Sequence, residues 1–406
     1  MTPTELNIFD PDLYAVGVPH DRFERLRREA PIFWHDEPGG PGFWAVTKHR
    51  DVLRVSKDAT AFSSEAGGTQ IPDLPRQDIR VSPDNLAVMD PPRHTRYRAL
   101  IGQSFTPSGL SKMEGYIRRR VESLIDDLLG RRSFEFMEEF AARLPMAIIL
   151  EMVGVPARDE EMIKRWIVQL LAPDDPEYQS SESDRAATTE RFMRYAHDLA
   201  ADRRRAPQDD LLSRLMSAEV DGMRLSYSEF GMFFMLLLAA GTHTSHLTLG
   251  NGALALMAHP AERARLIANP DMAANAVEEI LRWSPPIMHF RRTATCDTEL
   301  RGKKILAGQK VVVWYASANR DEDVFANPHV FDIGREMGSG ATEHLSFGHG
   351  PHFCVGNAMA RMSIRIALGE CFRRMPGLSL EGRPERLRSN WFNGMKRMQV
   401  SVDHRS

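Results

Sequence analysis

The chain has 406 residues, 42% of them hydrophobic and 26% charged, with a formal net charge of −3. These proportions describe a globular protein with ample core, and the near-neutral charge leaves no footprint for nucleic acid. Cys296, Cys354 and Cys371 are the only cysteines, which excludes a disulfide framework and points to a reducing compartment. Met1 to Asp10 carries acids and no apolar run, so no signal peptide is expected. The longest apolar run, Met232 to Ala240, is too short to span a membrane. A cytoplasmic protein that engages no membrane is the expectation.

In chain order, Phe23, Leu26 and Ala30 share one helix face, opposite Arg22, Arg25, Arg28 and Glu29. Ile32–Trp34 and Phe43–Val46 read as two strands around the Pro38–Gly42 turn, with a helix through Val52, Leu53 and Val55 after them. Residues 63–88 read as loop, because Gly67, Gly68, Pro72, Pro75 and Pro83 interrupt every period. Asp90-Pro91-Pro92 starts a helix on which His94 and Arg98, four apart, share a face. Two donors so placed suit a pair of carboxylates; a solvated basic face is the plainer reading of that segment alone. Residues 110–220 read as consecutive helices, broken by polar stretches at Pro173–Pro176 and Ser180–Asp184.

Ser226–Glu229 is a capping box ahead of a helix that runs to about Ala258, where His259-Pro260 stops it. Thirty-odd residues make a rod of roughly 48 Å. It is apolar nearly all round, so it should cross the centre of the molecule. Ala240-Gly241-Thr242-His243-Thr244-Ser245 lies in its middle, where a glycine costs about 1 kcal/mol. Either the hydroxyls bond back to carbonyls one turn earlier, or the helix opens at Ala240–Gly241 to admit a flat ligand. Glu279 and Arg282 share a helix face, and a surface ion pair is the plain reading. His289–Ala294 reads as extended, and a slip of one residue decides whether Arg291 or Arg292 faces inward. Two short strands around Gly308 follow, and Asn390–Met395 reads as a terminal hairpin turn.

The most informative stretch is Phe347-Gly348-His349-Gly350-Pro351-His352-Phe353-Cys354-Val355-Gly356. Gly348, Gly350 and Pro351 force an irregular backbone, and a helical pattern starts after Gly356. Cys354 therefore sits at a loop-to-helix junction, whose free N–H groups favour a thiolate. A metal ligand, a nucleophile and a small buried hydrophobe all remain open. No second Cys or His stands beside it at zinc spacing. The ten residues fit Phe-Gly-x-Gly-x-His-x-Cys-x-Gly and resemble the cysteine loop of the cytochrome P-450 haem proteins.

The resemblance spans roughly residues 10–402. It implies a mainly α fold, a single prism-like domain over residues 1–406, with a smaller β-rich part at about 31–56, 288–316 and 385–402. It implies haem b, with Cys354 as axial thiolate among Phe347, Gly348 and Gly356, and with Ala240 and Gly241 against its other side. His94, Arg98, Arg292 and His352 would bind the propionates, Arg291 being the rival of Arg292. The central stretch is similar to the family's Ala-Gly-x-(Asp/Glu)-Thr. Thr244 is then the threonine of oxygen activation, and His243 stands where an acid is usual, as a proton relay. Glu279 and Arg282 would gain Arg335 as third member of a structural ion-pair triad. The pocket walls would be Phe233, Leu237, Ala240, Ile287, Met288, Trp391 and Phe392, which suit a terpenoid, steroid, fatty acyl or polyketide-like molecule. The break near 173–184 resembles the family's hinged loop over the pocket.

The implied reaction inserts one atom of dioxygen into a C–H bond and reduces the other to water. No flavin or nicotinamide motif is present, so a ferredoxin and its reductase would supply electrons to a monomeric enzyme. Arg96, Arg361 and Arg365 are the candidate docking cations. Three other readings stand beside this one. They are a peroxygenase or oxidative coupling enzyme with proton delivery altered by His243, a non-catalytic haem sensor, and a thiol enzyme with Cys354 as nucleophile.

Overall fold

The central helix, Tyr227–Ala258, runs unbroken for 32 residues. Its start is fixed reciprocally: Ser226 Oγ accepts from Glu229 N at 3.2 Å, and Glu229 Oε2 accepts from Ser226 N at 2.8 Å. It ends at His259, ahead of Pro260. By length and composition it could cross a membrane. Here it is a core helix, packed against Arg143–Val153, Glu182–Arg205, Asn357–Arg374 and Ala273–Trp283. This computed structural model describes residues 6–75, 78–171, 175–178, 181–206, 208–337 and 343–403.

Two apolar cores flank the central helix. One gathers Phe134, Phe136, Phe140, Ile280, Leu368 and Phe372. The other gathers Ile149, Ile163, Phe192, Phe233, Phe234 and Leu238. A helix buried on both sides must be apolar all round, which is why it shows no single stripe.

The β-rich part centres on a five-stranded sheet. Ile32–His35 pairs with Phe43–Val46, which lies parallel to Lys310–Trp314; that strand pairs antiparallel with His289–Ala294. Phe62–Ser63 adds the fifth strand, against Ala294 and Thr293, at the start of a segment that reads as loop. Val311 faces Arg292 and Val312 faces Arg291 across the ladder. Successive side chains alternate faces, so the two arginines leave the sheet on opposite sides. A second sheet joins Leu378–Leu380, Gln399–Val402 and Ser133–Glu135. Its outer members are three residues long, too short to show alternation in the sequence.

Glu279, Arg282 and Arg335 form one network. Arg282 Nε and Nη2 donate to Glu279 Oε2 and Oε1 at 2.7 and 2.8 Å, and Arg335 Nε donates to Oε2 at 3.1 Å. Glu279 and Arg282 are 0% exposed. Arg282 also donates to the carbonyls of Asn319, Pro328 and Val330. The pair is therefore a buried clamp on the segment leading to the cysteine loop, and the surface-pair reading does not hold.

Candidate active site

A cavity opens between the central helix, the cysteine loop and the inner face of the sheet. With its mouth it holds about 1600 Å³ of space free of protein atoms. Leu237, Ala240, Gly241 and Thr244 line it from the helix, and His94, Arg98, Ile287 and Arg292 from other elements. Phe347, Gly348, His352, Cys354 and Gly356 line it from the loop. Ala240 is exposed although it sits mid-helix in the core, because it fronts this space.

The loop is held by its own backbone. Cys354 N donates to Phe347 O at 2.9 Å and Gly348 N to Leu345 O at 2.9 Å. Gly350 has φ +71°, and a Cβ there would lie 2.4 Å from Ser56 O. Only glycine combines that conformation with so close an approach. Arg361 lies 4.4 Å over the Phe347 ring and pairs with Glu278 at 2.7 Å, tying loop to helix. Burial pushes the Cys354 thiol up, despite the Gly356 N–H and the nearby Arg98 and Arg361. The helix end alone does not make a thiolate here; a metal cation at the sulfur would supply the missing charge.

Opposite lies a cluster of bases. His94 and Arg292 are 2% and 3% exposed. The His94 and His352 rings are 4.3 Å apart, and His94 Nδ1 has no hydrogen-bond partner among the described residues. Neither Arg98 nor Arg292 pairs with a carboxylate among the described residues. Burial and then Arg98 hold His94 down to about 4, and burial and then Arg292 hold His352 to about 2. Asp90, an acid whose charge acts on His94 and Arg292, is engaged by Ser63 Oγ and, at 2.9 Å, by Ser64 N. Buried cations need partners, so this cluster fits an anionic group inside the cavity. Arg291 does not contribute: it leaves the other face, to Asp73 Oδ1 at 2.7 Å and Ile71 O at 3.2 Å.

The central helix does not open at Ala240–Gly241. Thr244 Oγ1 donates to Ala240 O at 2.8 Å, and Thr242 Oγ1 to Leu238 O at 2.7 Å. These are the back-bonds of an intact helix, and they correct the opened-helix expectation. Gly241 has a packing reason: a Cβ there would come within 2.8 Å of Ile149 Cδ1. His243 is turned off the cavity wall, edge-on to Phe392 at 4.6 Å, and burial holds it down to about 4.

Four of the expected walls lie elsewhere. Phe233 shares a helix face with Leu237 but sits one turn beyond the cavity, stacked 6.1 Å from Tyr97. Met288 follows Ile287 in extended backbone, so it points the other way, into the core below the sheet. Trp391 and Phe392 stand behind Ile287, which Phe392 meets across an isolated bridge. The cavity instead uses Thr69, Leu86, Ala87, Pro145, Ile149 and Tyr315, none of which belongs to a motif. Of the expected docking cations, Arg361 is committed to Glu278, Arg96 to Asp221 at 3.4 Å, and Arg365 to Glu114 at 3.9 Å. In the expected hinged loop, Asp175–Tyr178 is described; Pro173, Asp174 and Ser180 lie outside the described residues.

A half-buried cysteine on a glycine loop, facing an apolar slot whose edge holds bases that no carboxylate among the described residues pairs, defines a haem-thiolate protein. The family model for cytochrome P450 matches residues 12–391, and the chain belongs to the cytochrome P450 family. A methyl-branched lipid omega-hydroxylase of Mycobacterium tuberculosis is 40% identical over 98% of this chain and 96% of its own. A steroid C26-monooxygenase of Rhodococcus jostii is 36% identical over 98% of this chain and 85% of its own. A Mycobacterium marinum cytochrome P450 solved in complex with pseudoionone superposes with TM-score 0.90, at 35% identity over 98% of both chains. The family uses haem with a cysteine thiolate ligand, and this chain is a P450 monooxygenase, an oxidoreductase that incorporates oxygen.

Proposed function

We propose that this enzyme hydroxylates a C–H bond near the end of a branched lipophilic chain, as on a steroid side chain or a methyl-branched lipid, with electrons from a ferredoxin. Two of the relatives named above are a methyl-branched lipid omega-hydroxylase and a steroid C26-monooxygenase, and their names supply the substrate classes and the position of this reading. The observation that carries the reading is the cavity itself, with Cys354 on one wall, four bases at one edge and apolar side chains elsewhere.

Cys354 would hold haem iron through Sγ, and His94, Arg98, Arg292 and His352 would neutralise its propionates. Bound there, haem supplies the activation of dioxygen, one atom entering the C–H bond and the other leaving as water. The chain's own residues set the surroundings. Leu237, Ile287 and Ile149 exclude bulk water and favour an apolar substrate. Thr244 Oγ1 already donates to Ala240 O, so it faces the cavity with lone pairs only. It can hold a water or another proton donor there by accepting its hydrogen bond. His243 is turned away from the cavity toward Phe392, and with burial holding it down to about 4 it does not serve as an acid at neutral pH.

The test is a spectral screen of the haem-loaded protein. The reduced carbon monoxide complex should absorb at about 450 nm, and Cys354→Ser should abolish that band. Steroids with a full side chain and methyl-branched fatty acids should displace the ferric haem water. With ferredoxin, reductase and NADPH they should give terminally hydroxylated products. Oxidation of the ring system, or binding confined to short polar ligands, would overturn the substrate assignment.

A further inference from the structure

Among the described residues, Arg98 and Arg292 are the two permanent charges that line the cavity; no other arginine, no lysine and no acid does so. His94 and His352 stand beside them as neutral imidazoles, each held down by burial and then by an arginine. Two guanidiniums balance the two carboxylates of a bound haem and leave no positive charge over. A substrate carboxylate drawn into this space would have no cation to pair with, and a buried carboxylate without a partner is strongly disfavoured.

The hydroxyls of the lining show where an uncharged polar group can be held. Thr248 Oγ1 donates to Thr244 O at 2.8 Å, Ser346 Oγ to Leu281 O at 2.6 Å and Ser363 Oγ to Ala360 O at 3.1 Å. Thr244 is back-bonded in the same way. Tyr315 Oη stands against the cysteine loop, 3.6 Å from where a Cβ on Gly348 would lie. Among the described serines and threonines of the lining, Ser245 and Thr69 make no side-chain hydrogen bond. Ser245 follows Thr244 on the central helix, whereas Thr69 comes from neither that helix nor the cysteine loop.

Thr69 is also held in place. Its carbonyl accepts from Arg291 N at 2.8 Å, and Ile71 O accepts from Arg291 Nη1 at 3.2 Å and Lys310 Nζ at 2.9 Å. Gly67 passes so close to the sheet that a Cβ there would lie 2.2 Å from Arg291 Nη2. A hydroxyl on backbone pinned this way gives up little freedom when it binds a ligand.

We propose that the substrate carries an uncharged oxygen, a ketone or a hydroxyl, at the end away from the oxidised carbon, and that Thr69 Oγ1 hydrogen-bonds it. Of the two classes proposed above, this selects a neutral, steroid-type lipid over a free branched-chain acid. It rests on that proposal and on haem taking up the two arginines. The charge balance excludes the acid, and the free hydroxyl places the neutral oxygen. The two effects differ in size. One neutral hydrogen bond changes affinity severalfold, whereas an unpaired buried carboxylate costs far more.

The experiment titrates the full, haem-loaded chain and follows displacement of the ferric haem water. Its probes are 5α-cholestan-3-one, 5α-cholestane, phytanic acid and methyl phytanate, all at neutral pH. The ketone should bind more tightly than the hydrocarbon by about 3- to 10-fold. Thr69→Val, which keeps the side chain's shape, should remove that difference, and Thr69→Ser should retain it. Methyl phytanate should bind more tightly than phytanic acid by about 10-fold or more. If Thr69→Val loses the carbon monoxide band, Thr69→Ala carries the same comparison. A ketone preference that survives loss of the hydroxyl overturns the role of Thr69. Phytanic acid binding as tightly as its ester, with terminal hydroxylation, overturns the neutral-end assignment and leaves the proposed function standing. Ring oxidation of the ketone overturns the reading beneath it.

Discussion

Arg291 and Arg292 carry the same side chain at neighbouring positions and have opposite roles. Strand alternation sends Arg292 to the cavity and Arg291 to Asp73. Arg292→Leu should therefore release haem more readily, seen as a falling haem-to-protein ratio on transfer to a competing apo-haem protein. Arg291→Leu should leave retention near the parent and lower the unfolding midpoint instead. A second residue-scale prediction concerns Gly241. Alanine there gains about 1 kcal/mol of helix propensity, against an overpacking cost of about 1–3 kcal/mol at Ile149. Gly241→Ala should be net destabilising in chemical denaturation. Ile149→Val should recover part of the loss, a non-additivity expected of side chains in contact.

At the scale of elements, the helix Ala273–Trp283 fastens two parts of the chain through adjacent acids. Glu279 binds Arg282 and Arg335 in a closed interior. Glu279→Gln leaves those guanidiniums short of charge and should cost about 3–5 kcal/mol of unfolding free energy. Glu278, one residue earlier, reaches His344 at 3.0 Å and Arg361 at 2.7 Å. Burial acts to raise its carboxyl, but the bonds from His344 and Arg361 prevail and hold it to about 2. A carboxyl depressed on folding stabilises fully above its unfolded pKa of about 4.3 and loses that stabilisation as pH falls toward the folded value. Glu278→Gln should thus be less stable than the parent at pH 7. The difference should shrink between about pH 4 and 2, read as urea midpoints against pH.

At the scale of the whole molecule, the sequence showed its strongly patterned parts. The central helix announced itself through a capping box, a long apolar run and His259-Pro260. The cysteine loop did so through residues that only a special backbone requires. The cavity's outer wall was not legible, because Thr69, Leu86 and Ala87 come from a stretch with no period at all. Phe233 and Met288 show the other limit: an apolar residue near a site reads the same whether it lines a cavity or fills the core beside it. The helix break expected at Ala240–Gly241 failed for a related reason. A glycine that makes room for Ile149 is indistinguishable, in sequence, from one that makes room for a ligand.

The approach of Gly350 to Ser56 O sets an order of events during synthesis. The loop carrying the sulfur is keyed to backbone that leaves the ribosome some three hundred residues earlier, in the helix His49–Lys57. A contact so distant along the chain forms late. The N-terminal helices and the first strands must wait, part-folded, for the cysteine that completes the cofactor's seat. Nascent chains halted before Cys354 should accordingly stay free of haem however long they are held, and cofactor uptake should coincide with the final stage of folding.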